Sequence, residues 1–235
     1  MSPKNISYTY NIHHLLPSSR KWSENSRNKV RFEKGQHAKF HAFFNHGIFP
    51  EQIIQLIRLS DRALNENIVQ ELFQILQKEP ESFYRDKIIT WGKIPGRTPN
   101  NVRVCKEYPK ILHHILPISR GWTEHYNNGE KLSENTRRNF TGILGDTVFP
   151  EQILQLLLLS SSALEPVIVK EILDFMKYYK LVDFFKEEVL EHPWKVLPSI
   201  EKNLTQLHFY WNGSSQGNQK IKNKIFNVLR TMSKK

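Results

Sequence analysis

The chain has 235 residues, enough for one large domain or two small ones, and its 39% hydrophobic and 11% aromatic content excludes a disordered polyelectrolyte. A formal net charge of +11 and a pI near 9.6 favour polyanionic partners over basic ones. The single cysteine, Cys105, excludes an intrachain disulfide and a cysteine-rich zinc ribbon, and with neither a membrane-length apolar run nor a signal-like start the expectation is a soluble, cytoplasmic protein without membrane association.

The first elements are short. Ile12 to Leu16 is an apolar run stopped by Pro17, and a loop rich in serine and asparagine follows from Ser18 to Asn28. Lys29 to Glu33 reads as a second strand with Val30 and Phe32 on one face. Gly35 punctuates it. From Gln36 the period becomes helical: His37, Phe40, His41 and Phe44 place two imidazoles and two phenyl rings on one stripe, and Gly47 is expected to end that helix. Pro50 suits a helix start and is followed by the apolar face of Ile53, Ile54, Leu56, Ile57 and Leu59. A third helix spans roughly Asn65 to Gln77, with Ile68, Leu72, Ile75 and Leu76 inward.

The plan then recurs one hundred residues later. His13-His14-Leu15-Leu16-Pro17-Ser18-Ser19-Arg20-Lys21-Trp22 returns as His113-His114-Ile115-Leu116-Pro117-Ile118-Ser119-Arg120-Gly121-Trp122, and Phe49-Pro50-Glu51-Gln52-Ile53 as Phe149-Pro150-Glu151-Gln152-Ile153. The second copy follows the same order of elements to about Tyr179. It differs where chemistry would be done: Arg137 and Thr141 stand at the places of His37 and His41. Between the copies, Trp91 to Asn101 is rich in glycine, proline and asparagine, as a linker would be. Two or three further helices are expected after the second copy. The last, Gln219 to Met232, turns Ile221, Ile225, Val228, Leu229 and Met232 inward and Lys220, Lys222, Lys224 and Arg230 outward.

Adjacent strand residues face opposite ways, so His13 and His14 cannot both be ligands of one metal. One of them can join His37 and His41, which lie one helical turn apart; the other is left free. The intervening segment is cationic, with Arg20, Lys21, Arg27, Lys29, Arg31, Lys34 and Lys39 against Glu24 and Glu33. His46 suits a solvated helix end better than a fourth ligand.

This pattern, His-His near the start, Asn28 between, and His37-x3-His41 on a helix, resembles the HNH nuclease family with its ββα-metal fold. The segment from His41 through Phe49-Pro50-Glu51 is also similar to bacterial members, although Asn45-His46-Gly47 departs from their order. The resemblance implies that His13, His37 and His41 hold one divalent ion, zinc, nickel or manganese in preference to magnesium, and that His14 is the general base. It implies a loop-fixing role for Asn28, with Asn25 as the alternative, and phosphate contacts from Arg20, Arg27, Lys29 and Arg31. The second copy is expected to be chiefly structural, packing against the first through the apolar helices after Pro150, with Arg137, Arg138 and Lys131 as further contacts to the nucleic-acid backbone.

The expected fold class is α+β and mainly helical, with two tandem ββα-metal-like units, each followed by helices, and further C-terminal helices. The expected segments are 1–80 for the active unit, 81–107 for a linker, 108–180 for a degenerate copy and 181–235 for a basic helical tail. The expected activity is metal-dependent hydrolysis of phosphodiester bonds in DNA, with RNA left open. The alternative is a non-catalytic nucleic-acid-binding protein that a metal stabilises.

Overall fold

In the computed structural model, residues 9–17, 26–78, 110–122, 124–190, 209–211 and 216–232 are described. Strand β1 (Tyr10–His14) pairs antiparallel with β2 (Lys29–Glu33), Tyr10 opposite Glu33 and His14 opposite Lys29. The expected β1 lay two residues further on; the ladder ends before Leu15 because the chain turns there and Leu15 and Leu16 enter the core. Alternation sends Val30 and Phe32 into the core, with His13 opposite Val30 on the same face.

Helix α1 (Lys34–Phe44) follows β2 without a loop because Glu33 caps it, accepting from the backbone N–H groups of Gly35 at 2.9 Å and Gln36 at 2.7 Å. It stops at Phe44 instead of running to Gly47. Asn45 takes φ +56°, a left-handed value that asparagine tolerates better than most residues, and Gly145 takes φ +67° at the matching place. Helices α2 (Phe49–Ser60) and α3 (Glu66–Leu76) complete the first unit, the latter capped by Asn65.

The second unit repeats the order: β3 (Lys110–His114), β4 (Gly129–Ser133), α4 (Glu134–Leu144), α5 (Phe149–Ser160) and α6 (Pro166–Tyr178). Its hairpin keeps the same register, Lys110 opposite Ser133 and His114 opposite Gly129.

Like elements meet across the units: α1 packs on α4, α2 on α5 and α3 on α6. The Phe43 and Phe140 rings lie 5.3 Å apart. At one end Arg27 donates to the carbonyls of Ser162 at 2.9 Å and Leu164 at 3.2 Å, and the Ser162 hydroxyl donates back to the Arg27 carbonyl at 2.9 Å. The reciprocal contact joins the turn Tyr126–Asn128 to the turn Asp61–Ala63. This is the geometry of a self-complementary interface, formed within one chain.

One hydrophobic core runs through both units into the C-terminal helix, and every residue of α5 is buried. The described residues of the two units therefore share one core. A helix buried on all sides, polar residues included, must find partners on all sides.

The C-terminal segment departs from the all-helical expectation. The described part holds the 3-10 turns Leu181–Phe184 and Glu187–Val189, strand β5 (Phe209–Trp211) and helix α7 (Gln216–Met232). Strand β5 pairs with the open edge of β2, extending the first sheet to the order β1-β2-β5. Three consecutive aromatic residues suit an extended edge, and pairing removes the exposed ladder of β2. Helix α7 packs on α5 and α6 through Ile225, Val228, Leu229 and Met232. Residues 81–107, the expected linker, lie outside the described residues. No single helix among the described residues is long and apolar enough to cross a membrane.

Candidate metal centre

His13, His37 and His41 come together, each offering a ring nitrogen within 4.8 Å of the others, and this group could hold a metal ion. Strand β1 supplies His13 on its inward face. Helix α1 supplies His37 and His41 from successive turns, and their Nε2 atoms are 3.1 Å apart. Two nitrogens bound at 2.0–2.1 Å to a tetrahedral ion stand about 3.3 Å apart, so this pair already has the spacing of ligands. Phe32 and Phe40 form the floor, their ring centres 5.6 and 5.1 Å from that of His13.

The surroundings favour the neutral, ligating form of the imidazoles. Burial first, then the imidazoles of His41, His37, His14 and His46, hold His13 well below the ordinary histidine range. Burial, then His41 and His14, lower His37 to about 4. Metal binding does not have to displace protons from these two rings at pH 7. His13 Nδ1 is buried without a hydrogen-bond partner among the described residues, a cost that coordination of the ring would offset.

One asparagine orients a ligand, and a second lies near another. The Asn45 carbonyl, which only accepts, lies 2.8 Å from His41 Nδ1, so that nitrogen carries the proton and Nε2 presents its lone pair to the group. The Asn11 amide lies 3.5 Å from His37 Nδ1. Both were missed in reading the sequence. The available signals were Asn11 two residues before His13 on one strand face, and Asn45 one helical turn beyond His41.

His14 lies on the opposite face of β1, opposite Lys29, with Arg31 two residues along that face. It remains close enough to the cluster to weigh on the protonation of both His13 and His37. Asn28 is fully buried, its Oδ1 accepting from Leu16 N at 2.6 Å and its Nδ2 donating to Leu16 O at 3.1 Å. This clamp fixes the chain immediately after His14. Asn128 makes the same clamp on Leu116 at 2.5 and 2.9 Å.

The expected phosphate-binding residues are scattered. Arg27 serves the junction between the units, where two carbonyls of the second unit take its guanidinium. Arg31 lies over the Tyr10 ring at 5.3 Å. Arg138 pairs with Glu134 on the exposed side of α4, and Arg137 lines a cleft with His113 and His114. Arg20 and Asn25 lie outside the described residues. The counterpart of Arg20 in the second unit, Arg120, is buried in a two-pronged ion pair with Glu151 at 2.7 and 3.0 Å.

His46 is exposed, its ring 5.4 Å from that of His41, and stands outside the three-nitrogen group. In the second unit His113 rests on Phe140 as His13 does on Phe40, with ring centres 4.7 Å apart. Arg137 and Thr141 replace the other two ligands, and no second group of three metal-ligating side chains occurs among the described residues. Comparison of the chain with protein-family models, with curated protein sequences and with solved structures returned no match.

Proposed function

We propose that the protein is a metal-dependent endonuclease of the HNH type, hydrolysing phosphodiester bonds in DNA at one site in its first unit. The observation that carries this reading is the three-imidazole group of His13, His37 and His41 with His14 as the next residue on the opposite strand face. A bound divalent ion would supply the Lewis acid that phosphodiester cleavage needs.

The protein's own residues do the remainder. His14 takes a proton from the attacking water as general base. Asn28 positions it by holding the Leu16 backbone. Lys29 and Arg31 share the face of His14 and meet the phosphates on either side of the scissile one. The burial and aromatic floor beneath His13 keep its imidazole neutral for the ion. The charge of +11 supports a polyanionic substrate without specifying bases, since phosphate contacts carry no sequence information.

The rival reading makes the metal a staple for a binding module. The second unit argues against it: the same hairpin, asparagine clamp and helix form there without the three-histidine group. Nicking of supercoiled plasmid tests the proposal. Wild type with added zinc, nickel or manganese is expected to nick and to stop with chelator, and His14→Ala is expected to bind metal yet lose about 10²–10⁴-fold in rate. Retained cleavage by His14→Ala removes the assigned base; no cleavage by metal-loaded wild type removes the nuclease reading.

A further inference from the structure

The second unit has histidine at only one of the three ligand positions, and a cleft lies beside it. The cleft, of about 180 Å³, is lined by His113, His114, Ser119, Arg137, Thr141 and Asp146, among others. We propose that this cleft is a phosphate-binding site, with the Arg137 guanidinium where the first unit has a metal ligand.

The lining chemistry selects an oxyanion over a cation. Arg137 and Thr141 stand where His37 and His41 stand in the first unit, one helical turn apart on α4. Thr141 turns its hydroxyl to its own helix, donating to the Arg137 carbonyl at 3.0 Å, and so leaves the cleft to the guanidinium. Arg137 makes no side-chain hydrogen bond or ion pair among the described residues, in contrast to Arg138, which pairs with Glu134. A guanidinium offers several N–H groups in a planar fork that matches two phosphate oxygens. His114 Nε2 is buried without a partner among the described residues, an unmet polar atom in the same wall. Ser119 adds a hydroxyl to the rim. Arg137 is close enough to His113 to help hold that ring neutral, so His113 acts as a polar wall and adds no charge.

Asp146 is the one acid in the cleft wall, and its carboxylate opposes an anion.

Under the proposed nuclease reading the bound group is a backbone phosphodiester of the substrate, but oxyanion binding stands independently of cleavage. The test uses full-length, chelator-treated protein and follows the histidine ring resonances by NMR as inorganic phosphate is added. The expected result is saturable movement of the His114 signals in wild type, weakened at least about tenfold in Arg137→Gln and strengthened in Asp146→Asn. Arg137 is exposed, so its replacement leaves the core intact, and unchanged circular dichroism checks this.

A short oligonucleotide without terminal phosphates forms the second arm. Its displacement of inorganic phosphate supports a backbone phosphodiester as the occupant; failure to displace overturns the nucleic-acid source and leaves free phosphate as the ligand. Unmoved His114 signals, or equal binding by Arg137→Gln, overturn the site altogether. Loss of plasmid nicking with phosphate binding retained would instead sink the nuclease reading alone.

Discussion

His37 and His41 face each other with their Nε2 atoms 3.1 Å apart, while the Asn45 carbonyl accepts a hydrogen bond from Nδ1 on the far side of the His41 ring. This pair, joined by His13, makes a metal stoichiometry of one per chain the expected outcome by elemental analysis. His41→Ala is expected to weaken binding by more than the roughly 10–100-fold cost of losing a hydrogen-bond partner of a ligand. The second unit supplies the converse experiment. It keeps the His113 ring on its aromatic floor, and the N–H of Gly145 bonds the Thr141 carbonyl as Asn45 bonds that of His41. Arg137→His combined with Thr141→His is therefore expected to raise the count to two ions, and a count that stays at one would show that the hairpin and helix of that unit are not placed for ligation.

Asn28 and Asn128 separate structural from catalytic work because their clamps are alike. Each buried amide bonds both backbone groups of the residue two positions after the second histidine. Replacement by alanine is expected to cost about 1–3 kcal/mol at either site, since a buried N–H and C=O lose their partners. Denaturant unfolding measures this. Only Asn28→Ala is expected to lower plasmid nicking beyond what its stability loss explains, and equal activity losses in the two variants would sever Asn28 from the positioning of His14.

Arg120 and Glu151 form a buried pair in which the same carboxylate also receives the Val148 N–H at the start of α5. Breaking it strands a charge. Arg120→Ala or Glu151→Ala is expected to destabilise by about 3–5 kcal/mol, whereas replacing both together by apolar residues of similar volume should recover much of that loss. Thermal melts of the two single variants and the double variant test this, and additive losses would show that the pair is not coupled.

Stability of the metal-free protein is expected to fall as the medium is acidified below about pH 6.5. His113 is lowered to about 4 by burial and then Arg137 and His114, and His13 lies well below its ordinary value. Between about pH 6.5 and 4 the unfolded chain takes up protons on these rings that the folded chain refuses, so unfolding free energy rises with pH through that window and levels off above it. Each such ring contributes at most about 1.4 kcal/mol per pH unit. Replacing His113 by glutamine is expected to flatten the slope, and an unchanged slope would contradict its depressed pKa.

The order of elements was legible in the sequence because each signal is local. Period two marked Val30 and Phe32, the i, i+3, i+4 stripe brought His37 and His41 to one face, and the constant offset of one hundred residues aligned Arg137 and Thr141 with them. Strand alternation admitted only one of His13 and His14 to that stripe and the family resemblance named His13, which is the one the structure groups with His37 and His41. Tertiary structure decided the remainder, since it depends on partners far along the chain. Arg27 turns to carbonyls of Ser162 and Leu164, residues 209–211 close the edge of β2, and α5 is covered on every side. No periodicity encodes those choices. They arise where open strand edges, unpaired carbonyls and a largely apolar helix must find whatever surface the folded chain brings to them.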